Sequence, residues 1–372
     1  MASIYKTIRS EDIASTRTVL HEAIPLTGTI ISGTYGSYGS ETNIKNYSHG
    51  MFQSVYDYPY LSSSANHIFD ITLGYSTGSA LSSSTTSQQA KKLNIYNQMA
   101  QVLMGYNKSG VVQRFDADGN LFDTTTDKMN ECLFLNFSRL LVKDELQKGT
   151  FNLELGISGS FTAPFDFTVG SSAGGRVILS DTNAATNYKV NSPTGEYSIL
   201  YVSNSLDSLG LDGVEGDVTQ AAGLLFYQAG VAVLTSSLFM KKSEGGYLSA
   251  SLDWLGDGTF LSGAITGSTI ETNANALRHR IYNLSFNNSV ELNSTIYFCH
   301  LGSNEFNYSS NPTYLSGSQI RVKAQSTDDP VSYLTTVGLY SSDNQLMATA
   351  KLSEPIKKTP ATSLTFRVRL DY

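Results

Sequence analysis

Gly170-Ser171-Ser172-Ala173-Gly174 fits the G-x-S-x-G spacing of a serine nucleophile. That motif sets its serine on a sharp turn between a strand and a helix whose N-terminus lies at the site. A strand-like run, Phe165 to Val169, precedes it, but the run that follows, Arg176 to Ser180, reads as another strand. The helix is therefore missing, and a chain with 31 Gly produces such spacing by chance. Phe115-Asp116-Ala117-Asp118-Gly119-Asn120 has the acidic spacing of a calcium loop, yet its Gly comes fourth from Asp116 and the twelfth residue is Asp127. An EF-hand needs Gly sixth and Glu twelfth. Asp118-Gly119 reads better as a hairpin turn between VVQRF and LFD. The five histidines (His21, His49, His67, His279, His300) lack metal-ligand spacing. His300 adjoins Cys299, but neighbours on a strand face opposite sides and do not chelate one ion. No phosphate-cradling or dinucleotide-binding glycine loop occurs. The expectation is no catalytic residue, no cofactor and no metal. Glycosidase carboxylates are placed by fold and not by spacing, so a carbohydrate-binding or carbohydrate-cleaving protein stays as an alternative, with Trp254 the single tryptophan available for stacking on a sugar.

Composition points to surfaces. Charged residues make up 15% of 372 residues, against about 25% in an average soluble chain. Ser, Thr, Asn, Gly and Tyr fill the difference, with 22 Tyr. A neutral polar surface loses less on desolvation when another protein covers it, and interface cores favour Tyr over Lys and Glu. Tyr and Thr are also strand formers, so a plain β-rich protein fits the same composition; the two readings are compatible. Net charge is −7, and Lys and Arg occur together only in short pairs such as Lys91-Lys92, so the phosphate-gripping stripe of a nucleic-acid binder is absent. Cys132 and Cys299 are too few for a disulfide framework and are expected reduced and buried. Residues 1–13 carry charges and no apolar core, so no signal peptide is expected, and no apolar run reaches bilayer length.

Three helices are predicted. The first starts at Ser10, with Glu11 and Asp12 at its positive end and Ile13, Val19 and Leu20 on its face, and stops at Pro25. The second covers 88–106, where Tyr96, Met99, Leu103 and Tyr106 form one stripe, Ser87 caps and Gly105 terminates. The third covers Asp127 to Gln147, with Leu133, Phe137, Leu140 and Leu141 sharing a face. Between the first two, residues 28–50 read as an extended Gly/Tyr arm. Beyond Gly149 the chain breaks into short apolar runs rich in Val, Tyr, Phe and Thr, which read as strands, with a hairpin signal at Glu244-Gly245-Gly246. In the last run Leu364, Phe366, Val368 and Leu370 alternate with Thr365, Arg367 and Arg369. The expected fold is mainly β with an α+β N-terminal part, its antiparallel sheets sandwich-like. The expected division is 1–148, 149–270 and 271–372.

Tyr333 to Tyr340 (YLTTVGLY), the turn Ser341 to Gln345, and Leu346 to Pro355 (LMATAKLSEP) resemble a hairpin that recurs in phage tail and baseplate proteins. Tyr35 to Asp70, Gly223 to Thr235 and Asn304 to Leu315 are similar to stretches of virion proteins from large contractile-tailed phages, including cyanophages. The resemblance covers about a third of the chain and carries no residue-level role. It implies a virion component, baseplate or tail-associated or else of the neck or collar or a fibre adaptor, assembled in the host cytoplasm. Its implied partners are other virion proteins and symmetry-related copies, with neither nucleic acid nor membrane. Residues expected at such contacts are Tyr35, Tyr38, Tyr47, Phe52, Tyr56 and Tyr58, in the arm and its continuation to Tyr60, and Tyr340, Arg367 and Arg369 in the segment Val331 to Tyr372. SLTFRVRLDY is expected to pair beside the hairpin.

Overall fold

The structure is a computed structural model and describes residues 5–28, 34–83, 86–121, 127–156, 176–202, 221–239, 269–309, 313–317, 319–321, 323, 325 and 327–372. The G-x-S-x-G stretch, the Glu244-Gly245-Gly246 hairpin and Trp254 lie outside them. The chain is mainly β, with antiparallel sheets and few helices. Its elements begin with strands β1 (Ile13–Thr27), β2 (Ile44–Asn46), β3 (Gln53–Tyr56) and β4 (His67–Tyr75), then helix α1 (Ser87–Leu103). Strand β5 (Glu131–Phe137), helix α2 (Arg139–Val142) and strands β6 (Glu145–Leu146), β7 (Asn152–Gly156) and β8 (Arg176–Ser180) follow. Next come β9 (Lys189–Ser192), β10 (Gly195–Val202), β11 (Ala221–Phe226), β12 (Val231–Thr235) and helix α3 (Ile270–Arg278). The last strands are β13 (Ile281–Leu301), β14 (Leu315–Ser316), β15 (Gln319–Ile320), β16 (Ser332–Tyr340), β17 (Leu346–Lys358) and β18 (Leu364–Asp371).

Two compact units result: a terminal unit of Met1–Val19 with Glu291–Tyr372, and a central unit of Leu20–Val290. This differs from the division at 148 and 270. The N-terminal residues belong with the C-terminal strands: Asp12 meets His300, and Ser15 meets Thr295. Such long-range pairing has no local signature.

In the central unit, neighbouring strands run β7-β8-β10-β11-β12-β5-β4-β3-β2. β5 lies between β12 and β4, pairing Leu133 with Leu234 and Leu73. Cys132 to Leu135 are buried consecutively, as in a strand covered on both faces. The predicted helix over Asp127 to Gln147 is therefore corrected to β5, one turn of α2, and β6. Helix α1 forms as expected, except that its cap is Thr86, whose hydroxyl accepts from the Gln89 N–H while the Gln89 side chain reaches back to the Thr86 N–H. Gly105, at φ +76°, ends it. The helix lies so close to β4 that a Cβ at Gly74 would fall 2.5 Å from the Lys92 carbonyl oxygen. Tyr96 Oη donates to the Met129 carbonyl (2.7 Å), and the Tyr96 ring meets Phe115 edge-on. Phe115 continues to Phe134 and Phe226, so one aromatic chain joins helix to sheet. Asp118-Gly119 sits in a bend held by Asp116, whose Oδ1 accepts from the N–H groups of Asp118 and Asn120, with Gly119 at φ +70°; VVQRF forms no strand, and most of LFD lies outside the described residues.

The predicted first helix is corrected to a single 3₁₀ turn, Ser10–Asp12, followed by β1. Thr16, Thr18 and Val19 are branched residues suited to a strand, and β13 supplies the pairing. Pro25, read as a helix stop, sits within β1, whose one neighbour among the described residues is β13. An edge strand tolerates the missing N–H.

Candidate interaction surface

The terminal unit contains two long antiparallel ribbons, besides the short β14–β15 pair. β16 and β17 form the expected hairpin, Gly338 opposite Thr349 and Tyr340 opposite Leu346. Its turn closes with the Ser341 N–H donating to the Gln345 carbonyl (2.9 Å), and Asn344 adopts φ +61°, a conformation Asn tolerates well. β18 does not pair beside it. It pairs with β13 instead, Thr295 opposite Leu370 through Leu301 opposite Leu364. The alternation read from the sequence holds: Leu364, Phe366, Val368 and Leu370 are half-buried, while Thr365, Arg367 and Arg369 are exposed.

The hairpin is fastened at its base. Lys358 is buried, and its ammonium donates to the Ser303 carbonyl (3.0 Å), Asn307 Oδ1 (2.9 Å) and the Thr359 carbonyl (3.0 Å). All three donors of the ammonium are thereby used. Ser332 Oγ also donates to the Phe306 carbonyl. Toward the tip, Leu334, Val337 and Leu339 on β16 and Ala348, Ala350 and Leu352 on β17 are only half-buried. Beside them lies a groove of about 600 Å³ lined by residues 5–8, Asp12, Ile13, β13, β16 and Phe366. A second void of about 80 Å³ opens between Val337–Leu339, Ala348–Ala350, Tyr297, Cys299 and Val368–Leu370. Protein interiors pack with few voids larger than a water molecule; the facing apolar rows of this unit do not close on each other.

The contrast with the central unit is large. Every residue of the continuous apolar core, from Leu26 to Phe286, lies in the central unit. Among the described residues of the terminal unit, Ile320 alone is a buried hydrophobic side chain. Exposed large apolar side chains are frequent in this smaller unit, among them Tyr5, Tyr333, Tyr340, Leu346, Met347 and Tyr372, although the central unit also carries some, such as Tyr58, Leu61 and Tyr106.

The terminal-unit contact residues read from the sequence lie on this surface. Tyr340 is 43% exposed, its ring 4.8 Å from Tyr5. Arg367 points to solvent, and Arg369 donates to Asp371 Oδ1 (2.6 Å) and Ser294 Oγ (2.9 Å). Sequence reading missed Tyr5, Tyr333 and Met347. Strict alternation in SYLTTVGLY sets Tyr333 and Tyr340 on opposite faces, and the register shift between Leu334 and Thr336 exposes both; the N-terminal segment carried no signal.

The arm residues behave differently. From 34 onward the segment is no extended arm but folds onto its own unit. Tyr47, His49 and Phe52 form a cluster with ring centroids 4.8–5.1 Å apart. Tyr35 meets Tyr58 edge-on (5.6 Å), Tyr56 meets His67 (5.5 Å) and Tyr38 lies 4.4 Å from His279. Tyr58 is the exposed member; Tyr35, Tyr38, Tyr47, Phe52 and Tyr56 are half-buried.

What fixes the segment is a buried polar cluster at the end of α3. Glu41 accepts from Arg278 Nη2 (3.0 Å) and His279 Nε2 (2.6 Å). Gln53 Nε2 and Arg278 Nη2 both donate to Asn275 Oδ1 (2.8 and 3.1 Å). Burial pushes His279 down to about 4, with help from the Arg278 charge and against the pull of Glu41. Burial alone would raise Glu41, but the Arg278 charge and the hydrogen bonds outweigh it and hold the carboxyl below its ordinary value. His279 is thus neutral at pH 7, donating through Nε2. This is clamp chemistry, sealed from substrate: Glu41 is 6% exposed and Arg278 fully buried.

Other titratable groups serve the fold in the same way. Asp181, buried, accepts from the N–H groups of Gly149 and Phe151 (2.8 and 2.9 Å) and lies 2.8 Å from Tyr227 Oη. Asp116 pairs with Lys128 and is pushed up to about 6, chiefly by burial. His300 Nε2 lies 3.1 Å from Asp12 Oδ1, and its Nδ1 2.8 Å from Thr365 Oγ1. Among the described residues no group of three His, Cys, Asp or Glu is placed to hold a metal. Cys132 and Cys299 are unpaired; Cys132 is buried as expected, whereas Cys299 is only half-buried and lines the groove. Comparison with family models, with curated proteins and with solved structures finds no match to this chain.

Proposed function

We propose that this chain is a structural component of a contractile-tailed phage particle, baseplate or tail-associated, that works through surfaces its neighbours cover. The observation that carries the reading is the terminal unit: strands with regular apolar alternation whose apolar rows face an open groove. A chain whose apolar rows stay open to water gains free energy when another surface closes them. The low charge and the exposed tyrosines suit that role, since interface cores are poor in Lys and Glu and rich in aromatics. The resemblance of the β16–β17 hairpin to those of tail and baseplate proteins supplies the kind of assembly. In this reading the central unit is the rigid body, and the terminal unit presents the contact surface.

Mass spectrometry of purified particles tests the proposal. The chain is expected as a stoichiometric component, in multiples of six if it belongs to a baseplate wedge. Its absence from particles, together with turnover of a host polysaccharide by the free chain, would overturn the reading.

A further inference from the structure

Residues 5–9 lie along the groove of the terminal unit as a strap. Tyr5 stands 4.8 Å from Tyr340, Lys6 Nζ donates to both carboxylate oxygens of Glu305 (2.6 Å each), and Ile8 lines both cavities. Among the described residues no backbone hydrogen bond fastens positions 5–8; the first is the Asp12 N–H donating to the Arg9 carbonyl (3.0 Å). Tyr5 is 45% exposed, and the side chains of Lys6 and Glu305 are 43% and 39% exposed. Exposed ion pairs of this kind are weak, and the groove beside the strap remains open.

The turn behind the strap is held better. Asp12 lies against His300, and β1 begins at Ile13. The strap therefore has a fixed root, loose side-chain anchors and a receiving groove whose chemistry already matches it. Contacts that form weakly within one chain form equally well between two, which is the condition for exchanging an element between copies. We propose that in the assembled state the Tyr5–Arg9 strap of one copy seats in the groove of a neighbouring copy, Lys6 on the neighbour's Glu305 and Tyr5 on the neighbour's Tyr340. The choice of a second copy over an unrelated partner rests on this complementarity, which the chain displays with its own residues. The inference deepens the reading of the terminal unit as a surface that neighbours cover, and it rests on that reading.

Cross-linking of the full-length chain tests it. Tyr5→Cys and Tyr340→Cys are placed on separate chains, both with Cys299→Ser so that the groove thiol does not compete. The two are co-expressed and oxidised. Exchange predicts a linked two-chain species as the main product. The double variant, with both cysteines on one chain, linking only within itself while separate chains stay unlinked would overturn the proposal. A charge test supports the readout without new thiols: Lys6→Glu and Glu305→Lys each lower self-association, and mixing them restores it under exchange. No restoration on mixing contradicts exchange. Should the chain enter particles with every strap linked within its own chain, exchange fails while the particle role stands; absence from particles removes both.

Discussion

The central and terminal units of this protein use the same strand alternation and reach opposite degrees of closure. In the central unit Leu133, Phe134, Leu224, Phe226 and Leu234 are fully enclosed, and two buried carboxylates are paired: Glu41 with Arg278 and His279, Asp181 with Gly149, Phe151 and Tyr227. In the terminal unit Val337, Leu339, Phe366 and Val368 stop at half burial, and the best-satisfied polar group, Lys358, serves only to fasten the base of the hairpin. One unit is finished by its own residues. The other is finished, on our reading, by someone else's.

Core truncation separates the two most sharply. Phe226→Ala should cost about 4 kcal/mol in chemical denaturation of the isolated chain, because a sealed aromatic leaves a cavity. A loss below about 1 kcal/mol would mean that the central unit is not closed as described. Next comes the clamp. Glu41→Gln should cost about 3 kcal/mol by leaving Arg278 buried beside a neutral group; a neutral outcome would show that the 34–60 segment is held by its aromatics alone.

The clamp also gives the central unit a pH dependence. His279 is held at about 4, below its ordinary 6.5, so on acidification the unfolded chain takes up this proton first. Its contribution is complete above pH 6.5 and is lost as pH falls toward 4, by an amount on the order of 2 kcal/mol. Arg278 and Arg280 reinforce the low value and Glu41 opposes it. Asp116, raised to about 6, works the other way: its contribution grows as pH falls through 6. The readout is therefore the difference in denaturation midpoint between wild type and His279→Gln, which should narrow from pH 7 to pH 4. A constant difference would remove His279 as the titrating group.

The smallest effect sharpens the comparison from the other side. Leu339→Ala should change the stability of the isolated chain by only about 1 kcal/mol or less, since a half-exposed side chain has little burial to lose. It should nevertheless weaken incorporation into particles, scored by competition with wild type. A loss as large as that of Phe226→Ala in the isolated chain would erase the distinction between the units.

What could be read from the sequence was local. Helix α1 shows itself through its apolar stripe and Gly105, β18 through strict alternation, and the β16–β17 hairpin through its Ser/Asp/Asn turn. The failures share a cause. Ser10, Glu11 and Asp12 do favour a helical turn, and one 3₁₀ turn forms; pairing with β13, far along the chain, then takes over. Residues 131–137 look like a helix face until β12 and β4 flank them. The Glu41–His279 contact joins positions 238 residues apart, so nothing nearby in the sequence marks Glu41 as a buried acid. On the interaction surface, Arg367 and Arg369 were legible because alternation assigns them a face, and Tyr340 through the resemblance of the hairpin that ends on it. Tyr5 and Lys6 were not, because their place depends on the groove.

A reconstruction of the assembled particle at side-chain resolution tests the central claim most directly. The account predicts that Val337, Leu339 and Phe366 lose their remaining exposure beneath atoms of neighbouring chains. Finding the same apolar rows open to solvent in the particle would contradict it.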